Sequence, residues 1–288
     1  MGSPLDFPPL DIPALLRAYK LRPKKGLGQS FLIDPAALRR VMEAADITPD
    51  DTVLEIGPGL GSLTRYLCRA ARRVVAVELD AALLPVLQEV LAPFKNVDVV
   101  QGDILDLDPA DLMRGEPYKV AANIPYYITS AVIRHLLDVK TGRGLVATHS
   151  RPERVTLTVQ KEVAQRICAQ PGDMSLLSLS VQVFGSARVV AQIPAEAFFP
   201  APEVDSSVVR IDLYPQPVIP TGSLDRFFNL ARAGFSQKRK KLRNSLSAGL
   251  HIPPEEAASR LQFAGIDPGR RAESLSLEEW KVLVISLD

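Results

Sequence analysis

The sequence predicts an α/β fold, with a mostly parallel sheet covered on both faces and a small C-terminal α-helical domain behind it. Two observations predict it. Between residues 53 and 169, short apolar runs alternate with segments of helical period. After a Pro-rich stretch at 214–223, the pattern is helical to the end of the chain.

The chain through Pro23 is Pro-rich and reads as partly loose, with Arg17, Lys20, Arg22, Lys24 and Lys25 clustered towards its end. Asp34 as N-cap and Pro35 in the first turn open a helix. Strands are expected at Val53–Ile56, Val74–Val77, Val97–Val100, Lys119–Ala122 and Val155–Val159. Helices are expected at Leu60–Ala71, Ala81–Leu91, Ser130–Asp138 and Lys161–Ala169. Ala187–Ile193 and Ser207–Leu213 read as an antiparallel edge pair around a Pro-rich loop. Residues 214–223 read as a linker, followed by helices at Leu224–Phe235, Lys238–Leu246, Pro254–Phe263 and Leu277–Leu287.

Composition narrows the function classes. The chain has 288 residues, 47% of them hydrophobic, enough to bury a real core. A net charge of +1 gives no global sign of a nucleic-acid partner, so local clusters must carry any such signal. Cys68 and Cys168 are far apart and lack metal-like spacing, which argues for a reducing compartment and against a disulfide scaffold or zinc site. No apolar run approaches the ~20 residues of a membrane span. The N-terminus carries Asp6, Asp11 and several prolines, without a signal-peptide pattern. A soluble cytoplasmic protein is expected, with no membrane partner and no metal.

The segment LEIGPGLGSLT (54–64) joins the first strand to its helix. Gly57, Gly59 and Gly61 allow a tight turn and close approach of a ligand to the backbone. The dinucleotide fingerprint would need glycine at position 62, where Ser62 stands. Glu55 precedes the loop, and a cofactor carrying an amino group could use it. Glu78 ends the second strand, where an acid accepts from ribose hydroxyls. Asp103 follows the third strand and could accept from an adenine amine. The fourth strand ends in NIPYY (123–127). Four successive strand ends therefore present polar groups at the carboxyl edge of the sheet, where open α/β folds bind ligands.

EIGPGLG, VELD, GDIL and NIPY resemble the ordered motifs of S-adenosylmethionine-dependent methyltransferases, and NIPY is similar to the class that modifies exocyclic amines. KKGLGQSFL (24–32), QKEVAQRI (160–167), FFPAPEVDS (198–206), FSQKRKKLRNSL (235–246) and RRAESLSLEEW (270–280) resemble the small-subunit ribosomal RNA adenine N6,N6-dimethyltransferases of the bacterial housekeeping type. The resemblance covers about residues 17–285. It implies a Rossmann-like class I methyltransferase fold and S-adenosyl-L-methionine as cofactor. Gln29, Ser30, Leu32, Gly57, Gly59, Glu78, Asp103 and Asn123 would line the cofactor site. Two departures stand out. Ser30 replaces an asparagine expected to touch the cofactor, which implies a shorter or water-mediated contact, and 171–180 lacks an expected Gly-Tyr pair.

Adenine's exocyclic amine is a poor nucleophile because its lone pair is delocalised into the ring. The side-chain carbonyl of Asn123 and the backbone carbonyl of Ile124 could each accept one N–H and localise that pair, with Pro125 fixing the local φ. Tyr126 could stack on the base. Phe198 could stack on its other face, with Phe199 as the alternative. Tyr127 reads as strand-end packing.

Lys24, Lys25, Lys238, Arg239, Lys240, Lys241 and Arg243, with a further run at Arg270–Arg271, are candidates for phosphate contacts that position RNA without reading sequence. The expected organisation has four parts. Residues 1–33 contribute to cofactor and RNA sites, 34–213 form the S-adenosylmethionine-dependent methyltransferase domain, 214–223 are the linker, and 224–288 are a helical RNA-docking domain. The resemblance implies dimethylation of two adjacent adenosines in a hairpin loop near the 3′ end of small-subunit rRNA, within an assembling small subunit, by a monomer. Three other readings stand beside it: an amino-methyltransferase of other nucleic acid, an assembly factor that kept the fold, and a nicotinamide-dependent dehydrogenase.

Overall fold

The computed structural model describes residues 8–137 and 151–286. Among the described residues nine strands run in chain order: β1 Phe31–Leu32, β2 Thr52–Ile56, β3 Arg73–Glu78, β4 Val97–Gln101, β5 Lys119–Asn123, β6 Arg154–Gln160, β7 Gly185–Ile193, β8 Phe198–Phe199 and β9 Ser206–Leu213. Seven of them form one sheet in the order β4-β3-β2-β5-β6-β9-β7, while β1 and β8 make a separate antiparallel pair. Strands β2 to β6 are mutually parallel and β9 is antiparallel to β6. Every residue of β2 is buried between its neighbours, which is why its sequence reads as a continuous apolar run rather than an alternating one.

The helices are α1 Ile12–Ala18, α2 Pro35–Ala45, α3 Ser62–Ala70, α4 Leu84–Leu91, α5 Pro109–Leu112, α6 Thr129–Leu137, α7 Lys161–Ile167, α8 Leu176–Gln182, α9 Leu224–Phe235, α10 Leu242–Leu250, α11 Pro254–Phe263 and α12 Leu277–Ile285. The start of α2 is as the sequence predicts: the Asp34 carboxylate accepts from Ala37 N at 2.6 Å and Pro35 leads the first turn. Its inner face buries Leu38, Val41 and Met42 in a core with Val53, Leu67, Ala121 and Val208. No helix among the described residues is long and apolar enough to cross a membrane.

The chain divides into two compact units. One runs up to Ala164 and takes in Arg188–Leu213; the other comprises Gln165–Ala187 and the chain from Tyr214 onwards. Residues 165–187 thus group with the C-terminal helices. Within that second unit, Tyr214 N donates to Phe184 O and Val218 N to Val183 O, and Ile219 is fully buried. The Pro-rich stretch is therefore strapped in place rather than a free linker. Segment 171–180, which lacks the Gly-Tyr pair, forms a capped start to α8: Ser175 and Ser178 exchange a reciprocal capping box.

Other expectations also need correction. The N-terminal stretch, expected to be partly loose, holds a helix from Ile12 to Ala18. Asp11 caps α1 by accepting from Ala14 N at 2.9 Å, Pro13 supports the first turn, and Ile12 and Leu16 bury with Phe31, Leu60, Leu83 and Val86. Lys238–Lys241 are not helical. The helix begins at Leu242, because the run of cations ahead of it has no apolar face to bury. The expected helix ends at Asp138 and Leu287 lie outside the described residues.

Candidate functional site

The carboxyl ends of β2, β3 and β5, with the loop after β4, open into one pocket, and the cofactor and catalytic candidates named from the sequence line it, except the alternative Phe199. The architecture explains why. Parallel strands end on one edge, so the turns after successive strands meet there. Gln29, Ser30 and Leu32 reach it from the segment around β1, and Phe198 from β8.

The glycine loop is built for close approach. Gly59 has φ +60, and a Cβ there would come within 2.9 Å of the Phe31 ring, so both backbone and space demand glycine. Its N–H donates to Glu78 Oε2 at 3.0 Å, while Asp80 N donates to Glu78 Oε1 at 2.8 Å. The Glu78 carboxylate is thus locked at the end of β3. Burial raises its pKa above the usual carboxylate range, and the backbone donors pull it part of the way back.

Glu55 is more deeply enclosed. Burial pushes its carboxyl up to about 8, helped by the nearby Glu78 charge and opposed by the Thr64 hydroxyl. Its Oε2 is buried and has no hydrogen-bond partner among the described residues. Beyond β4, Asp103 Oδ1 accepts from Leu105 N at 2.9 Å, and among the described residues nothing donates to Oδ2.

At the end of β5, Asn123 Nδ2 donates to the Ser30 carbonyl at 3.0 Å, and among the described residues nothing donates to Oδ1. The Tyr126 hydroxyl meets Ser206 Oγ at 2.7 Å. Tyr127 is 61% exposed, so it is not the strand-end packing that the sequence suggests. Its ring and Pro125 instead crowd Gly28, where an added Cβ would sit 3.2 Å from the Pro125 Cβ.

Some candidates have other commitments. Gln29 spans two partners: its Nε2 donates to Asp80 Oδ2 at 2.8 Å and its Oε1 accepts from Lys24 N at 2.8 Å. The Ser30 hydroxyl donates to Pro200 O at 2.7 Å. Phe198 is 3% exposed and belongs to the core around Leu38 and Val41, so most of its ring is committed to packing; Phe199 next to it is half-buried. Lys24 Nζ pairs with Asp80 Oδ1 at 2.7 Å, just beyond the end of β3, while Lys25 is exposed.

In the second unit, Lys238, Arg239, Lys240, Lys241 and Arg243 are all exposed. Arg270 differs. Its guanidinium pairs with Glu279 and donates to the Ser274 carbonyl at 2.6 Å, so it braces the start of α12. Sequence reading did not single out Asp80, Leu79, Ile104 or Ser206. Leu79 was the one with a signal: an apolar residue between two acids at a strand end, and it is 47% exposed at the pocket.

Solved proteins share this fold. The solved 23S rRNA methyltransferase ErmE is 30% identical, covering 90% of this chain and 99% of its own, with a TM-score of 0.71. A dimethyladenosine transferase from Plasmodium falciparum is 26% identical, covering 88% and 95%, with a TM-score of 0.73. The fold is that of a Rossmann-like methyltransferase that uses S-adenosylmethionine. The chain belongs to the ribosomal RNA adenine dimethylase family, whose model matches residues 20–288. Similar curated proteins named ribosomal RNA small subunit methyltransferase A come from Dehalococcoides mccartyi and Alkaliphilus metalliredigens. The first is 45% identical over 94% of this chain and 90% of its own; the second is 39% identical over 94% and 93%.

Proposed function

We propose that this enzyme dimethylates the N6 amines of two adjacent adenosines in a hairpin loop near the 3′ end of small-subunit rRNA, within an assembling subunit. The observation that carries the reading is the fixed amide of Asn123. Its nitrogen is held by Ser30, which leaves an acceptor oxygen in the pocket without a partner among the described residues. The names of the bacterial relatives support the small subunit as substrate.

The residues fit the cofactor. An adenosylated amino acid offers hydrogen-bond donors: ribose hydroxyls, an adenine amine and a charged amino group. The pocket offers acceptors in chain order. Glu78 would hold the ribose, Asp103 the adenine amine, and the unpartnered Glu55 Oε2 the amino group, directly or through water. Leu79 and Ile104 would supply apolar surface for the ring. Gly57 and Gly59 would let the ligand approach the backbone, and Leu32 would close the floor.

When bound, the cofactor supplies a methyl group on a sulfonium, so the leaving group departs neutral. The protein's share is then alignment and polarisation. Asn123 Oδ1 accepts one amine N–H and the Ile124 carbonyl the other, drawing the nitrogen towards tetrahedral geometry. Tyr126 stacks on the base, its ring held by the hydroxyl bond to Ser206. Phe198 contributes at most an edge, given its burial. Asn123 is neutral and cannot take a proton, so the displaced proton leaves to water.

Lys25 and the 238–243 cations would hold backbone phosphates. The protein would act as a monomer in the cytoplasm. The test is to incubate it with labelled methyl donor and either unmethylated small subunits or large-subunit rRNA, then map modified bases by mass spectrometry. Two neighbouring dimethyladenosines in small-subunit rRNA are expected. Label confined to large-subunit rRNA would overturn the substrate assignment.

A further inference from the structure

Ser30 lies among the residues lining the pocket, yet its side chain is spent elsewhere. In the antiparallel β1–β8 pair, Phe31 faces Phe199 and Leu32 faces Phe198. Position 30 therefore falls opposite position 200, one residue beyond the last backbone pair. Ile33 N donates to Ala197 O, which makes 33/197 a hydrogen-bonded pair, so 30/200 is by alternation a non-hydrogen-bonded pair where the ladder supplies no backbone bond. The Ser30 hydroxyl makes a link instead, donating to the Pro200 carbonyl at 2.7 Å.

The same residue's backbone carbonyl accepts Asn123 Nδ2 at 3.0 Å. Only the nitrogen of an amide can donate to a carbonyl, so this bond selects one of the two amide orientations. The reversed amide would set Oδ1 against the Ser30 oxygen, acceptor against acceptor. Asn123 Oδ1 is thereby left to face something other than the protein. The neighbouring turn is equally tight: Gly28, two residues earlier, packs against Pro125 and Tyr127.

We propose that Ser30 is a positioning residue for methyl transfer. Its hydroxyl ties the start of β1 to the Pro200 loop, so that its carbonyl holds the Asn123 amide with Oδ1 turned to the substrate amine. This rests on the role of Asn123 given above. It differs from a cofactor contact at position 30, and the two leave different kinetic signatures. Loss of a cofactor contact made equally in ground and transition states raises the cofactor's KM at unchanged kcat. Loss of a positioning bond lowers the rate at unchanged cofactor affinity.

The experiment measures single-turnover methylation of unmethylated small subunits at saturating S-adenosylmethionine, with cofactor affinity by calorimetry. The variants are Ser30→Ala, Ser30→Thr, Asn123→Ala and the double Ser30→Ala/Asn123→Ala. Ser30→Ala is expected to slow transfer by roughly ten- to hundredfold, the scale of a small misplacement of a reacting group, without weakening the cofactor. Ser30→Thr, which keeps the hydroxyl, restores most of the rate. The double variant is no slower than Asn123→Ala alone, because both changes act through one amide. A wild-type rate in Ser30→Ala, a rate defect cured by more cofactor, or additive losses in the double variant would overturn the proposal. So would a Ser30→Ala protein that melts well below wild type while Asn123→Ala and Ser30→Thr do not separate in rate. A wild-type rate in Asn123→Ala sinks the role of Asn123 itself, a different failure.

Discussion

The pocket edge of the sheet and the basic turn at Lys238–Lys241 are built in opposite ways. At the pocket, functional groups are buried or half-buried and mutually locked. Glu78 accepts from two backbone N–H groups, Gln29 is held at both ends, and Asn123 is pinned through its nitrogen. In the turn, all four cations and the nearby Arg243 are exposed, outside any helix or at its first turn, and none forms an ion pair among the described residues. Chemistry on a weak nucleophile needs groups fixed before the substrate arrives, because a misplaced acceptor loses rate directly. Holding a phosphate backbone needs only charge that can adapt. Lys24 sits between these two styles: a cation expected on RNA that the structure pairs with Asp80.

The largest effect is expected at Asn123. Asn123→Ala should keep fold and RNA binding and slow methyl transfer by about a hundredfold or more, on the order of 3 kcal/mol for a lost oriented polar group. Tyr126→Phe loses the bond to Ser206 but keeps the ring, so it should be milder than Tyr126→Ala. The second methylation starts from a nitrogen with one N–H fewer and leans more on stacking. Tyr126→Ala should therefore accumulate monomethyladenosine. Single-turnover assays that separate mono- from dimethyl product decide both points, and equal slowing of the two steps would contradict the stacking argument.

The parallel core and the order of motifs were legible in the sequence, because strand ends of a parallel sheet converge whatever their loops do. Glu78, Asp103 and Asn123 could be placed from strand position alone. The fate of Ser30 could not, since its partner Pro200 is 170 residues away and meets it only through the β1–β8 pair. The choice between Phe198 and Phe199 is not legible for a related reason. In a two-residue strand the adjacent rings go to opposite sides, and only pairing with β1 decides which one enters the core. Arg270 reads as a free cation until Glu279, nine residues on, folds back to meet it. The helix expected from Lys238 begins at Leu242 because a charge run directly precedes the helical period.

Next in size is a pH effect on stability from Glu55. Its folded pKa of about 8 lies above its ordinary value of 4.5, so the folded state keeps a proton that the unfolded chain has lost. Stability from this group is full below pH 4.5 and is lost as pH rises through 8, at up to about 1.4 kcal/mol per pH unit. Glu55→Gln carries no titrating proton. Its melting temperature relative to wild type should climb steadily between about pH 5.5 and 7.5, by the equivalent of roughly 2–3 kcal/mol. A constant offset over that range would mean that Glu55 titrates normally. At the ribose position, Glu78→Gln should weaken cofactor binding by about 2 kcal/mol, as for a lost hydrogen bond to a charged group. The glutamine keeps one acceptor for Gly59 or Asp80, so the loop survives better than in an alanine variant. Unchanged affinity by calorimetry would remove Glu78 from the site.

The smallest energetic effect, and the one that most sharpens the contrast, belongs to the turn. Lys240 and Lys241 are exposed and form no ion pair among the described residues, so reversing both charges should leave the melting temperature and the cofactor affinity where they are. RNA binding should respond in a different variable. Each phosphate contact releases condensed counterions, so the logarithm of affinity falls with the logarithm of salt by about 0.7 per contact on single strands and about 0.9 on duplex. Losing two contacts should flatten that slope by roughly 1.4 to 1.8, most visibly as weaker binding at low salt and a near-wild-type affinity at high salt. The same titration on Arg270→Ala should leave the slope unchanged and lower the melting temperature, because that guanidinium braces α12 instead of meeting solvent. A wild-type slope in the Lys240→Glu/Lys241→Glu protein would make the turn an ordinary solvated surface, and RNA docking would then have to be sought among the remaining exposed cations.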